Sequence, residues 1–156
     1  MPIPPPQDPV ARLLAVHTET RRQLQAAAAC GIAAPATFTA WIDGAARTAH
    51  DILEQQLFPA LIESMAGSDA VCLKGMTCGL ARDRADLDRR WRQTIRPALV
   101  GPMTLTDRDA LAAWAKDSLD WLARADEELL PMAARLLDDA ALDALATACA
   151  RLDGCP

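Results

Sequence analysis

The sequence predicts an all-α protein: an antiparallel up-down-up-down four-helix bundle closed by a short C-terminal helix. Three observations carry that reading. Strand signals are nearly missing, since the chain has no tyrosine, its β-branched residues do not cluster, and no alternating run is flanked by Asn-Gly or Asp-Gly. Apolar residues recur instead at three-to-four spacing along most of the chain. The breaks between these periodic stretches are short, and four long helices on short loops favour antiparallel neighbours.

The Pro-rich stretch 1–7 is expected to be a flexible arm. Asp8 can then cap a first helix with Pro9 at its first position, and Val10, Leu13, Leu14, His17, Arg21 and Leu24 repeat along it until Gly31. A second helix is expected from Pro35, carrying Phe38, Trp41, Ile42, Ala45 and Ala49 and running past Pro59 toward Gly67. Ser68 offers a cap for a third, through Leu80, Leu87, Trp91 and Ile95, with Pro97 near its end. "TDRD" at 106–109 has the form of a capping box with Asp in place of Glu and opens a fourth helix reaching Leu137. "DAALDALATACARL" supplies the last, short helix. Trp41, Trp91 and Trp114 fall on apolar faces and read as core.

With 156 residues the chain fits a single domain, 1–156, large enough to bury roughly 70% of its unfolded surface without a metal or a disulfide. Any metal would therefore be functional. The formal net charge of −5 comes from interspersed acidic and basic residues, which excludes the basic stripe that nucleic acid or an anionic membrane requires. No stretch reaches the roughly 18 uncharged apolar residues of a membrane span, and "MPIPPPQDP" has neither the basic nor the apolar region of a signal peptide. A cytoplasmic protein is expected. Its five cysteines form an odd set with no C-x-x-C pair, which suits a reducing compartment better than disulfide or zinc chemistry.

Two segments echo each other. "EQQLFPAL" at 54–61 matches "DEELLPMA" at 126–133, so the second and fourth helices each carry an acidic or amide run, two large apolar residues and a proline. A proline inside a helix costs about 3 kcal/mol unless it marks a kink or an end, so the repetition implies a shared architectural need. The acidic cluster Asp126, Glu127 and Glu128 is expected to face solvent in part. Asp83, Asp86 and Asp88 alternate with Arg82, Arg84, Arg89 and Arg90, the pattern of an ion-paired surface.

On these residues the chain resembles the hemerythrin-like, or HHE cation-binding, domains. "HTETRRQL" at 17–24 is similar to the family's helix-one segment, "RADLDRRW" at 84–91 followed by "RPAL" to helix three, and "ADEELLPMAARLL" to helix four. In that family helices one and three each give a His, and helices two and four each give an H-x-x-x-E motif, all converging on a two-iron centre. His17 matches the helix-one ligand. The helix-three position falls on Arg84, and the helix-four pair on Trp121 and Ala125. Counting ten residues back from Pro59, as from Pro131, puts the helix-two pair at Ala49 and Leu53, one step round the helix from His50 and Glu54. A one-residue rotation would instead turn His50 and Glu54 toward His17.

Two histidines cannot supply the imidazoles of an oxygen-binding di-iron site. Trp121 is large enough to fill the space of a metal centre, Ala125 and Leu53 would make that space apolar, and Arg84 would put a cation there, paired with a carboxylate such as Glu54 or Asp126. The resemblance therefore implies a non-enzymatic protein, its di-iron site lost, without a cofactor, acting on a ligand, an unidentified protein partner or a second copy of itself. The alternative is a single iron or zinc ion on His17, His50 and Glu54, serving oxygen, nitric oxide or iron sensing or storage.

Overall fold

The computed structural model describes residues 8–155, and the arm at 1–7 lies outside them. The described residues are all-helical, with no strand. Helix α1 spans Pro9–Cys30, α2 35–63, α3 67–98, α4 105–136 and α5 Asp139–Cys149, followed by a 3-10 turn at Ala150–Gly154.

Local chemistry sets most of these ends. The Asp8 side chain accepts from the Val10 N–H, with Pro9 in the first turn, and Gly31 closes α1 at φ 76° and ψ −173°, backbone that only glycine adopts without strain. Two expected caps move. Helix α3 starts at Gly67 behind Ala66, not behind Ser68, because Gly67 takes the positive φ of 63° that turns the chain into the helix. The capping box of α4 lies two residues before "TDRD": the Thr104 hydroxyl accepts from the Asp107 N–H, and the Asp107 carboxylate accepts from the Thr104 N–H. Asp138 caps α5.

The prolines explain the echo, and a third copy appears. The N–H groups of Phe58, Arg96 and Leu130 each reach a carbonyl five residues back, on Leu53, Trp91 and Ala125, and the next residue in each case is Pro59, Pro97 or Pro131. Proline has no N–H to give and its ring clashes with the carbonyl four residues back; a widened π-turn moves that carbonyl aside and lets the helix continue. "RQTIRPAL" at 92–99 thus repeats the device of "EQQLFPAL" and "DEELLPMA". A fourth π-turn, Ile42–Ala46, holds Gly44 and no proline.

Helix α1 packs along α4; α3 also packs on α4, the last turns of α2 meet α3, and α5 covers α1 and α2. Leu13, Leu24, Ile52, Leu53, Leu57, Leu61, Leu80, Leu122, Leu129 and Leu130 are all but inaccessible at the centre, each contributing about 1.5–3 kcal/mol by burial. Trp91 and Trp114 stack at 5.1 Å, with Phe38 set edge-on to both. Trp41 is only half-buried, its indole N–H donating to the Thr20 hydroxyl. Leu14, expected on the apolar stripe of α1, lies outside it at 37% exposure; Thr20 and Ala27 are buried in that stripe. Among the described residues no helix is long and apolar enough to cross a membrane.

Candidate functional site

His17, His50, Glu54 and Arg84 meet in one region of the core. His17 is fully buried on α1, and its ring centroid lies 5.6 Å from that of His50 on α2. His50 also meets the edge of Trp121 of α4 at 4.7 Å. Arg84 of α3 is 8% exposed. Four buried polar atoms find no hydrogen-bond partner among the described residues, and all four belong to this set: Nε2 of His17, Nε2 of His50, Oε1 of Glu54 and Nη1 of Arg84. Orphaned buried groups normally cost about 1–3 kcal/mol each, and such clustering marks a place built for something other than packing.

The ion pairs differ from the sequence expectation. Arg84 does have a carboxylate, but it is Asp88 one turn along α3, at 3.2 Å through Nη2, and neither Glu54 nor Asp126. An (i, i+4) partner on the same helix reaches the guanidinium without help from another element. The second Asp88 oxygen accepts from Arg47 at 3.0 Å. Asp126 is correspondingly not a solvent-facing residue: Glu127 and Glu128 are exposed, whereas Asp126 turns inward, its side chain 10% exposed. Its Oδ1 lies 2.5 Å from His17 Nδ1 and its Oδ2 accepts from Arg21 at 2.5 Å. Since an ionised carboxylate only accepts, His17 Nδ1 is the donor of this pair. The 54–126 correspondence in the echoed segments was the signal for Asp126, because both acids are the second residue of their π-turns.

Those π-turns also resolve the geometry of helix two. A π-turn brings one additional residue onto a helix face, and such turns recur at functional sites. Leu53 and Ala125 are fully buried, and the adjacent Glu54 and Asp126 also reach inward. Both helix-two registers are therefore directed to the interior: Ala49 and Leu53 pack, while His50 stands beside His17.

Electrostatics favour an uncharged His50. Burial first, then the charges of Arg84, His17 and Arg47, hold its pKa well below the ordinary imidazole value. Burial pushes Glu54 up, against the opposing charge of Arg84. For Asp126 burial acts upward as well, but the hydrogen bonds and charges of His17 and Arg21 outweigh it and hold the carboxyl below its usual range.

The donor set does not fit a two-iron centre. At the positions matching family ligands, Ala49, Leu53, Trp121 and Ala125 are buried without any ligating atom, and Arg84 carries a positive charge. The Trp121 indole N–H is spent on the Leu80 carbonyl at 2.9 Å. Among the described residues no three His, Cys, Asp or Glu side chains gather around a common point. Beside His50 and Arg84 lies a cavity of about 40 Å³, walled by Trp91, Trp114 and Trp121 and touched by Thr20, Asp88 and Ser118.

Elsewhere Cys30, Cys72 and Cys78 are exposed, Cys149 is buried with its thiol pushed up by desolvation, and no disulfide links the described cysteines. The alternating charges of α3 form surface pairs, Arg82 with Asp83, Arg89 with Asp86 and Arg90 with Asp86 and Asp117, while Arg84 turns to the core and Asp88 is half-buried beside it. Comparison with protein-family models, with curated proteins and with solved structures finds no match for the chain.

Proposed function

We propose that the chain is a hemerythrin-like, antiparallel up-down-up-down four-helix bundle with a short C-terminal helix, in which the two-iron centre has given way to packing and a buried guanidinium. In this reading it is a non-enzymatic cytoplasmic protein that binds a ligand in its core, with an unidentified protein partner or a second copy of the chain reading out the bound state. The observation that carries the reading is Arg84, 8% exposed beside His50, with a donor left free. A fixed cation at that point repels a metal ion and attracts a ligand of opposite charge.

Metal content of the purified protein, with its visible spectrum, is the test. Well under one iron or zinc per chain and no oxo-bridged di-iron band are expected. Replacing the altered positions, with Ala49→His, Leu53→Glu, Arg84→His, Trp121→His and Ala125→Glu, should confer iron binding. The second reading, one iron or zinc ion on His17, His50 and Glu54, draws on their three unpartnered atoms, which do not gather around one point here and would have to close on the ion. Stoichiometric metal in the unaltered protein, lost in His17→Ala or His50→Ala, would establish it over the first.

A further inference from the structure

The cavity beside Arg84 has few polar atoms left to spend. The Thr20 hydroxyl donates to the Val16 carbonyl and the Ser118 hydroxyl to that of Trp114, both at 2.8 Å. All three indole N–H groups are committed: Trp91 to Asp43, Trp114 to the Leu87 carbonyl and Trp121 to that of Leu80. Asp88 has one oxygen on Arg84 and the other on Arg47. Among the lining groups this leaves Arg84 Nη1 and His50 Nε2, both buried, both without a partner among the described residues and both able to donate.

Size narrows the ligand. A cavity of about 40 Å³ admits a small ligand and not a cofactor-sized one. For water the two free donors meet only the lower end of the two to four polar partners an ordered buried molecule needs. Water would also leave the Arg84 charge shared with a single carboxylate that Arg47 already engages.

We infer that this cavity binds a small planar monovalent anion, a formate-like carboxylate or nitrite, held by Arg84 Nη1 and His50 Nε2 among the tryptophan side chains. A charge-assisted bond from the guanidinium supplies affinity, and the small, largely apolar cavity favours a small anion over a larger one. The inference rests on the reading of the chain as a metal-lean ligand-binding bundle.

The test is calorimetric titration of the full chain, freed of metal by chelation, at constant ionic strength. Formate should bind saturably and nitrite should compete with it, the tighter of the two naming the ligand class. Neutral formamide, of the same shape, should bind at least about ten-fold more weakly, the worth of one charge-assisted hydrogen bond. Arg84→Gln should weaken formate by a similar factor with an unchanged far-ultraviolet spectrum. If that variant fails to fold, Ala46→Leu, which fills the cavity and leaves Arg84 in place, should abolish binding. Formate should also shift the His50 imidazole signals in NMR spectra. Equal binding of formate and formamide, no saturable heat with a folded protein, or binding undiminished in Ala46→Leu would overturn the inference. Formate binding only after metal is restored would instead overturn the metal-lean reading itself.

Discussion

Trp121 gives the sharpest test of how the core is filled. Its side chain is 1% exposed, its ring edge meets His50 at 4.7 Å, and its N–H is bonded to the Leu80 carbonyl. A buried aromatic removes about 150–250 Å² from water, which at about 25 cal/mol per Å² amounts to about 4–6 kcal/mol for the whole side chain. Alanine keeps a small part of this, so Trp121→Ala should destabilise the protein by about 3–5 kcal/mol. For a chain of this length that corresponds to a fall in Tm of roughly 6–20 °C. Trp121→Phe keeps a ring against His50 and loses the indole hydrogen bond, and should cost about 1–2 kcal/mol. Urea unfolding followed by far-ultraviolet circular dichroism measures both. A loss below about 1 kcal/mol for the alanine variant would place Trp121 among surface residues in energetic terms and refute the filled-site argument.

Asp126→Asn should destabilise by about 2–4 kcal/mol at neutral pH, since it leaves His17 and Arg21 facing an uncharged amide. Because the folded carboxyl titrates below its ordinary value of 3.8, its contribution is complete above that value and disappears as pH falls through the lower, folded pKa. The variant's stability should therefore vary less than wild type below about pH 4. His50 works in the same direction over a higher range. Its folded pKa lies below 6.5, so the unfolded chain takes up a proton first as pH falls from 6.5, and stability should decline by up to about 1.4 kcal/mol per pH unit. His50→Gln should flatten that decline in urea midpoints compared across pH. Gly31→Ala should cost about 1–3 kcal/mol from backbone strain alone, because no neighbour lies within 4 Å of the added Cβ; a neutral result in thermal unfolding would refute the strain at φ 76°.

Helices and most of their ends were legible because they depend on neighbours in sequence: Asp8 before Pro9, Gly31 after Cys30. The caps of the third and fourth helices each lie two residues before the expected ones, because a positive-φ glycine starts the third helix at Gly67 and Thr104 stands ahead of Thr106 as an equally good cap for the fourth. His17 and Arg84 lie inside as expected. The partner of Arg84 was not legible, since a choice among Asp88, Glu54 and Asp126 turns on side-chain reach between helices. Asp126 escaped because periodicity places it beside two exposed acids, and only the widened turn carries it inward.

That widened turn also governs how this chain can change length. An α-helix advances about 100° per residue, and each π-turn takes up one residue without adding a turn of its own. Deleting a residue within Leu53–Leu57 would let the widened turn close into ordinary α-helix and leave Phe58 and Leu61 on the face they share with Ala49 and Ile52, a change that register alone would tolerate. The prolines impose a steric bar, because the closed turn would drive each ring into a carbonyl. Insertions and deletions should thus be absorbed in the breaks at 31–34 and 99–104. A ligand motif grafted onto the second helix has to be laid out wholly before residue 53, or written one residue longer than its template.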